Sequence, residues 1–281
     1  MNPQAYLDRV KFEGRPRADL DTLTRLHRGH VENIPYENLD VQLQRKVSRE
    51  PAAIFDKLVS RGRGGWCYEM NGLLSWALDE IGFKHTRLAG GVVRALRGDD
   101  MIGNHLVLWV HLDRDYVADV GFGDGLIEPV PIAAGAIDNG VFKFSLEDLG
   151  RGWWRFNNDH RGGAPSFDFE LKRGDEGLLE ERCAWLQTSP ESLFVQNAVV
   201  QRYLPDRFMR MAGPMLRTVR ADSQDLHEIA SADEYVHTLD AVFGLRVPEA
   251  RGLWPKIQER HLRVAAAKLA QEPQRSGPVG A

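Results

Sequence analysis

The chain has 281 residues, of which 43% are hydrophobic and 27% are charged, a balance typical of a globular protein with a substantial buried core. Its formal net charge of −4 argues against a nucleic-acid binder that relies on bulk positive charge. No stretch approaches the ~20 apolar residues of a membrane span, and the segment Met1 to Ala5 lacks the layout of a signal peptide. Because two cysteines form no zinc-ligand cluster and little disulfide framework, we expect no metal site and a cytoplasmic location.

The spacing of apolar residues predicts helices over about the first 80 positions. Asp19 is placed to cap a helix that carries leucines at helical spacing. Pro51 suits the first position of a second helix. A third helix is predicted to begin at Cys67 and to stop at Gly82, because glycine favours the left-handed conformation that ends helices.

Beyond Gly82 the sequence becomes rich in β-branched and aromatic residues, which indicates strands of an antiparallel sheet. The predicted strands are Thr86 to Leu96, His105 to Val110, Tyr116 to Phe122, Val141 to Leu146, Trp153 to Phe156 and Phe167 to Leu171. Helices are predicted again near Ser189, from Ala232 to Phe243 and from Leu253 to Ala270. The small, polar tail from Pro273 to Ala281 is predicted to be frayed.

The tract from Arg61 to Asn71, RGRGGWCYEMN, is the strongest functional signal. It places Cys67 after a glycine-rich turn and at the head of a helix, where the helix dipole and unpaired N–H groups favour a thiolate. Arg61 and Arg63 are expected to act in the same direction, so the tract predicts a nucleophile for acyl transfer. The alternative is that Cys67 is a packed apolar side chain, as we expect for Cys183, which lacks such a turn.

A cysteine nucleophile needs a base, a group that orients the base and donors for an oxyanion. His105, at the start of a predicted strand, is the preferred base, and Asp119, a single carboxylate in an apolar strand, is the preferred orienting acid. The N–H of Cys67 is a candidate oxyanion donor. Alternatively, His105 is structural and Asp119 caps a turn at Gly121. Other histidines qualify as bases on residue type alone: His27, His30, His85 and His111.

Simple hairpin geometry does not favour the His105–Asp119 pair. A tight turn at Asp113 and Arg114 would set His105 opposite a residue near Phe122. Asp119 would then lie about 10 Å away along the strand, at ~3.3 Å per residue. A wider connection, a bulge or strong twist is needed to bring the two side chains together.

Several tracts together resemble the arylamine N-acetyltransferase family. Residues 63–71, RGGWCYEMN, resemble its nucleophile motif, and residues 104–108, NHLVL, and 119–123, DVGFG, match the tracts that carry its catalytic histidine and aspartate. HRGH at 27–30 with IPYENL at 34–39 resembles its N-terminal signature, and SPESLFV at 189–195 a later segment. These tracts lie in the family's order over roughly the first 200 residues.

The resemblance implies an α+β fold with a cysteine-protease-like core in three parts. These are an N-terminal helical bundle over 1–83 that carries the nucleophilic cysteine, a central antiparallel β-barrel over 84–188 that carries the histidine and aspartate, and a C-terminal α/β lid over 189–281. It also implies ping-pong transfer of acetyl from acetyl-CoA, a co-substrate and not a bound cofactor, to a small arylamine, arylhydroxylamine or arylhydrazine. Cys67 would take the acetyl group, His105 would activate the thiol, resting largely as thiolate with imidazolium, and Asp119 would orient His105.

Three further positions are candidate substrate-binding residues by the same resemblance. Tyr36 and Phe122 would suit the wall of a pocket for an aromatic amine, and Gly123 would allow close passage of the pantetheine arm. Core aromatics and a simple bend are the alternatives for these positions. A transglutaminase-like or cysteine-protease-like hydrolase uses the same order of Cys, His and Asp and is the alternative enzyme class. A non-catalytic interaction protein with the same fold is the third hypothesis.

Overall fold

The structure, a computed structural model, describes residues 1–271. Its helices are α1 (Pro3–Arg9), α2 (Leu20–Asn33), α3 (Leu39–Gln42), α4 (Pro51–Phe55), α5 (Cys67–Ile81), α6 (Arg94–Arg97), α7 (Glu176–Thr188), α8 (Leu193–Gln196), α9 (Ala232–Ala241) and α10 (Trp254–Gln271). A π-helical turn, Asp56–Ser60, continues α4, and short 3₁₀ turns cover Asp99–Met101 and Pro248–Leu253. None of the helices described within residues 1–271 has both the length and the apolar character needed to cross a lipid bilayer. The predicted frayed tail, Pro273 to Ala281, lies outside the described residues.

The strands form two antiparallel sheets. They are β1 (Tyr36–Glu37), β2 (Lys84–Val92), β3 (His105–His111), β4 (Asp115–Ala118), β5 (Val130–Pro131), β6 (Gly135–Asp138), β7 (Lys143–Gly150), β8 (Trp153–Asn157), β9 (Ser166–Glu170), β10 (Val199–Leu204), β11 (Arg207–Ala212), β12 (Met215–Val219) and β13 (Gln224–Glu228). The larger sheet has the order β5-β4-β3-β2-β9-β8-β7-β6 and the smaller one β1-β10-β11-β12-β13. The α+β class is confirmed, and the predicted barrel is an open, curled half-barrel made by the larger sheet.

The predicted helix boundaries of the N-terminal part are confirmed. The carboxylate of Asp19 accepts a hydrogen bond from the N–H of Thr22 and caps α2. Pro51 is the first residue of α4. Gly82 ends α5 with φ of +95°, the left-handed conformation that glycine adopts without steric cost.

Three segments differ from the predicted pattern. β2 ends at Val92 instead of Leu96, because Val93 adopts a left-handed φ of +57° and α6 follows. β4 ends at Ala118 instead of Phe122, because the chain leaves the sheet at Asp119. Helix α7 was not predicted, although Asp175 caps its first turn and Leu179 is fully buried; its strongly charged sequence weakens the helical pattern of apolar residues.

The smaller sheet has two buried faces. Val200, Met209 and Met211 on one face pack with residues of α9 and α10. Tyr203 and Phe208 on the other face belong to the core that continues into the half-barrel. Because Tyr36 pairs with Gln201, β1 joins the nucleophile end of the chain to the edge of this sheet.

Candidate active site

The glycine-rich turn holds Cys67 at the start of α5 by close backbone approach. A Cβ atom on Gly64 would lie 2.1 Å from the carbonyl oxygen of Pro35, and one on Gly65 would lie 2.8 Å from the side chain of Glu69. The N–H of Gly65 donates to Pro35 O at 3.2 Å, and the N–H of Glu37 donates to Gly65 O at 2.9 Å. The two glycines therefore let the turn lie directly against β1, and their role is packing more than access to the thiol.

A buried cluster of five charges supports this turn. Arg63 donates to Glu37 at 2.7 Å and to Asp40 at 3.2 Å, and Lys57 contacts both Asp40 and Glu69 at 2.9 Å. Arg63 is thus neutralised by carboxylates, and Arg61 is exposed with its own partner. The expectation that these arginines promote a thiolate is wrong, since their charges are already paired.

Glu69 links the charge cluster to the nucleophile. Its Oε2 accepts the N–H of Trp66 at 3.3 Å, just before the start of α5. Burial, with a further contribution from neighbouring carboxylates, raises the pKa of Glu69 to about 7, although Lys57 acts in the opposite direction. The cluster combines three acids with two bases, so one proton on Glu69 makes it electrically neutral.

His105 and Asp119 form a buried hydrogen-bonded pair. The Nε2 atom of His105 lies 2.7 Å from Oδ2 of Asp119, and both side chains are almost fully buried. Burial alone acts to raise the pKa of Asp119, but His105 and hydrogen bonds from Asn71 and Gly121 outweigh it and lower the pKa. Because the pair engages Nε2, a proton exchanged with a thiol would pass through Nδ1.

Asn71 on α5 explains how the pair forms despite the hairpin geometry. β3 and β4 pair Leu108 with Ala118, so a continued ladder would pair Leu106 with Val120. Instead, Nδ2 of Asn71 donates to Leu106 O at 2.6 Å, and the N–H of Val120 donates to Oδ1 of Asn71 at 2.9 Å. The inserted carboxamide separates the strands and also donates to Asp119 at 2.7 Å.

His27 is a further buried residue that contacts this group. The N–H of Asp119 donates to its Nε2 at 3.1 Å, so its Nδ1–H donates to Ile127 O at 2.8 Å. Burial lowers the pKa of His27 to about 4, which keeps the ring neutral. Sequence reasoning placed both Asn71 and His27 in motifs but assigned neither a role; their position in those motifs was the available signal.

The thiol of Cys67 lies beside the residue that precedes His105. Its Sγ is 3.9 Å from the carbonyl oxygen of Asn104, and Cys67 is only 3% exposed. Burial raises the pKa of Cys67, while the N–H groups of Leu106 and Tyr68 act in the opposite direction. In this closed arrangement the neutral thiol is favoured, which does not agree with the expected resting thiolate.

The three predicted substrate-binding residues all lie around this group. Phe122 packs edge-on against the His105 ring, with centroids 5.7 Å apart. Burial raises the pKa of Tyr36, with Cys67 a second, smaller cause, so the phenol stays neutral. Gly123 has φ of +89°, and a Cβ atom there would lie 1.9 Å from Oε1 of Gln201. The space at Gly123 is therefore filled by Gln201, a residue that the sequence did not single out.

The segment 176–196, which comprises α7 and α8, covers the nucleophile and is called the cover segment below. Trp66 is fully buried and packs edge-on against Phe194, with centroids 5.1 Å apart. Leu179 and Cys183 pack in the same cluster as Cys67. In this arrangement the thiol is almost fully buried, and part of its packing comes from the cover segment.

Known proteins match this chain over most of its length. A model of the N-acetyltransferase family matches residues 19–251. Arylamine N-acetyltransferase from Mycolicibacterium smegmatis is 33% identical over 270 residues, which cover 90% of this chain and 94% of that protein. The pineal gland isozyme of arylamine N-acetyltransferase from Gallus gallus is 31% identical over 278 residues, which cover 87% and 94% respectively.

The fold matches as well. The solved structure of Mycobacterium marinum arylamine N-acetyltransferase in complex with CoA is similar with a TM-score of 0.82 and 28% identity. The match covers 92% of this chain and 98% of that one. A match in sequence and fold over most of the chain, together with the buried His–Asp pair beside a cysteine, shows that this chain belongs to the arylamine N-acetyltransferase family.

Proposed function

We propose that the protein transfers acetyl from acetyl-CoA to an arylamine, arylhydroxylamine or arylhydrazine, by a ping-pong reaction through a Cys67 thioester. The observation that carries the proposal is the buried pair of His105 and Asp119, 2.7 Å apart, beside Cys67 in a chain of this family. Acetyl-CoA serves as a co-substrate that leaves as CoA, and not as a resident cofactor.

The first half-reaction forms the acetyl-enzyme. His105 takes the proton of the Cys67 thiol as the sulfur attacks the acetyl carbonyl carbon. The tetrahedral intermediate collapses by breaking the bond to the CoA sulfur, which leaves with the proton from His105. Because burial raises the pKa of Cys67, proton transfer to His105 is needed at the moment of attack. The carboxylate of Asp119 stabilises the imidazolium that forms.

The second half-reaction transfers the acetyl group to nitrogen. The neutral amine attacks the thioester carbonyl, His105 accepts a proton from the amine nitrogen, and the Cys67 sulfur leaves and is reprotonated. Tyr36 and Phe122 supply the aromatic wall against which the acceptor ring would pack. The N–H groups of Cys67, Tyr68 and Leu106 are the candidate donors to the carbonyl oxygen.

The proposal includes a three-part organisation around this chemistry. Residues 1–83 carry Cys67, residues 84–188 carry His105 and Asp119, and the third part, proposed over 189–281 and described as far as residue 271, is of α/β type, with a core like that of cysteine proteases. We place the reaction in the cytoplasm, since both Cys67 and Cys183 are free thiols.

Acetylation of Cys67 is the direct test. Acetyl-CoA without amine should add one acetyl group to the protein and release one equivalent of CoA, measured by intact-protein and peptide mass spectrometry. Cys67→Ala should abolish this burst while keeping the thermal unfolding midpoint, because one small side chain is truncated. Cys183→Ala is the matched control, since it removes the other buried thiol and should keep the burst.

The alternatives give different outcomes. A hydrolase would turn over acetyl-CoA or a peptide amide continuously without amine and would not accumulate the thioester. A non-catalytic protein would show no acetylation, and iodoacetamide would label Cys67 no faster than Cys183. Failure to detect any acetyl-enzyme in the wild type would refute the transferase proposal.

A further inference from the structure

A straight row of side chains crosses the smaller sheet from the nucleophile turn outward. Tyr36 pairs with Gln201, Gln201 with Arg210, and Arg210 with Arg217. Tyr36 also forms a parallel bridge with Gly65, two residues before Cys67. Directly paired residues point to the same face of a sheet, so the four side chains form one row, which we call the cross-sheet row. It lies on the face that packs toward the half-barrel, as Tyr203 and Phe208 do.

The outer end of the cross-sheet row places two like charges directly opposite each other. Arg210 and Arg217 are cross-strand neighbours, an arrangement that destabilises a sheet unless something compensates the charge. Burial and then the neighbouring charge of Arg210 lower the pKa of Arg217, with a smaller contribution from Arg161. Asp124 and Asp159 act in the opposite direction but do not outweigh them. Within residues 1–271, the buried Nε atoms of Arg210 and Arg217 have no hydrogen-bond acceptor.

A third guanidinium approaches from the half-barrel. Arg161 lies in the loop between β8 and β9, and its carbonyl oxygen accepts a hydrogen bond from Arg217. Asp159 holds the Arg161 side chain at 3.0 Å. Arg161 and Arg217 line a cavity of about 680 Å³, and Lys143 and His160 also line it. Arg210 and Arg217 line an adjoining cavity of about 370 Å³.

Carboxylates near these cavities do not cancel this charge. Asp159 is engaged by Arg161, and Asp225 pairs with Arg220 at 2.5 Å. Asp124 contributes to the field at Arg210, but it is buried and accepts the N–H of Gly163 at 2.5 Å. Asp222 and Lys143 both line the larger cavity, so one carboxylate there is matched by one ammonium group. Arg161 already donates to Asp159 and to the carbonyl oxygens of Val141, Arg220 and Ala221. Among the described residues, Arg210 and Arg217 are therefore the adjacent guanidinium groups without a carboxylate in ion-pair contact, and such a pair favours a multiply charged anion.

We propose that Arg210 and Arg217 bind the phosphate groups of acetyl-CoA while its thioester lies at Cys67. This inference rests on the proposed function and assigns a phosphate site to it. Guanidinium groups suit phosphate because their planar forks donate two hydrogen bonds at once. Between Tyr36 and Arg210 the cross-sheet row is occupied by Gln201, which is buried and fills the space at Gly123, so seating the pantetheine arm along the row requires the Gln201 side chain to move.

The length of the cross-sheet row favours the phosphates of CoA, over a carboxylate on the acceptor amine, as the group that binds at Arg217. Three strand-to-strand steps separate Tyr36 from Arg217, which at ~4.8 Å each amounts to about 14 Å. In CoA, about 13 bonds separate the sulfur from the first phosphorus, and an extended chain of that length spans ~15 Å at the backbone's rise per bond. A single aromatic ring spans less than half of this distance, so an acidic arylamine packed against Tyr36 cannot reach Arg217.

Two acetyl donors test the site. Acetylation of Cys67 is measured by rapid-quench mass spectrometry with acetyl-CoA and with S-acetyl-N-acetylcysteamine, a thioester that lacks phosphates. In Arg210→Gln/Arg217→Gln, the half-saturating concentration of acetyl-CoA should rise roughly 10- to 100-fold, since each lost charge-assisted bond changes affinity about tenfold or more. The limiting rate, and all constants for the short thioester, should stay as in the wild type.

Arg207→Gln is the matched control, because Arg207 lies on the same strand but pairs with exposed Asp206 at 2.9 Å. It should leave both donors unaffected, and Arg217→Lys should keep part of the affinity for acetyl-CoA. The thermal midpoint of the double variant should not fall, since a like-charge pair is removed. Equal losses for both donors, or no loss for acetyl-CoA, would overturn the phosphate site alone. Absence of acetylation in the wild type by either donor would overturn the proposed function and this inference with it.

Discussion

At the scale of single residues, Asp119 is a buried carboxylate that several hydrogen-bond donors hold in place. Its two oxygens receive hydrogen bonds from three groups, namely His105, Asn71 and the N–H of Gly121. Its own N–H donates to His27. A buried carboxylate with this many donors stays ionised, and it fixes which nitrogen of His105 carries the proton.

Asp119→Asn should lower the rate of Cys67 acetylation by about 10³- to 10⁴-fold. The Nδ2 group of the new asparagine would face Nε2 of His105 and force the proton onto Nδ1, so that no nitrogen remains to accept the thiol proton. The buried network would also weaken, and the thermal midpoint should fall. Single-turnover acetylation and thermal unfolding measure the two effects.

Asp115→Asn is the control for this prediction. Asp115 makes a comparable contact with His111, 2.9 Å long, but at the exposed end of the same hairpin. Asp115→Asn should change neither the rate of Cys67 acetylation nor the thermal midpoint by much. Full activity in Asp119→Asn would show that the orienting group is another residue.

How far the sequence predicts the site depends on the type of contact. Cys67, His105 and Asp119 carry reactive groups, so their residue types and neighbours indicated them. Gln201 and Arg217 were not singled out, because their importance depends on strand register across the smaller sheet. Part of the cluster that buries Cys67 comes from the cover segment, about 110 residues later in the chain, and no local pattern predicts this contribution.

At the scale of elements, the end of β4 is where the structure departs from the strand that the sequence predicts. The sheet pattern of Val117 and Ala118 continues into Val120, so the sequence predicted a longer strand. The strand stops because Asn71, from a helix packed on the sheet, takes over the hydrogen bonds of Leu106 and Val120. A tertiary contact therefore overrides the local strand preference.

Asn71→Ala should destabilise the protein by about 2–4 kcal/mol, because Leu106 O and the N–H of Val120 would lose their buried partner. Urea unfolding followed by tryptophan fluorescence measures this free energy. Acetylation should fall as well, since Asp119 loses a donor.

Ser75→Ala, on the same helix, is the matched control. Ser75 is buried and makes a single side-chain hydrogen bond, to His85 at 2.7 Å, so its loss should cost about 1 kcal/mol and leave acetylation intact. If Asn71→Ala were no more destabilising than Ser75→Ala, the carboxamide would not be what separates the two strands.

At the scale of the whole molecule, the charge cluster at Glu69 ties several elements together. It joins β1 through Glu37, α3 through Asp40, the turn before α5 through Arg63 and the π-helical turn through Lys57. Desolvation of this many charges in one place makes the protonation of Glu69 part of the stability of the fold.

The stability of the fold should therefore decrease as pH rises toward neutrality. The pKa of Glu69 is 4.5 in its unperturbed state and about 7 in the fold, so between these values the folded protein holds a proton that the unfolded chain has lost. Stability from this group is greatest below about pH 4.5, falls by up to about 3 kcal/mol as pH rises to 7, and changes little above.

Urea unfolding at pH 5.5 and pH 8 measures this effect, with Glu69→Gln as the reference because it removes the titrating group. The wild type should lose more stability than Glu69→Gln over this interval. An equal or opposite change in the two proteins would mean that Glu69 stays ionised beside Lys57 throughout.

The pairing of β1 with β10 has a consequence for the newly made chain. Tyr36 and its partner Gln201 are separated by 165 residues (201 − 36), which a ribosome adds in roughly 10 to 30 s. For most of that interval, from residue 67 onward, the turn that carries Cys67 has been synthesised, but the strand that pairs with its neighbour β1 has not. A nascent chain that stalls between residues 67 and 201 thus carries the Cys67 thiol without β10, so the nucleophile is made early and its surroundings are completed late.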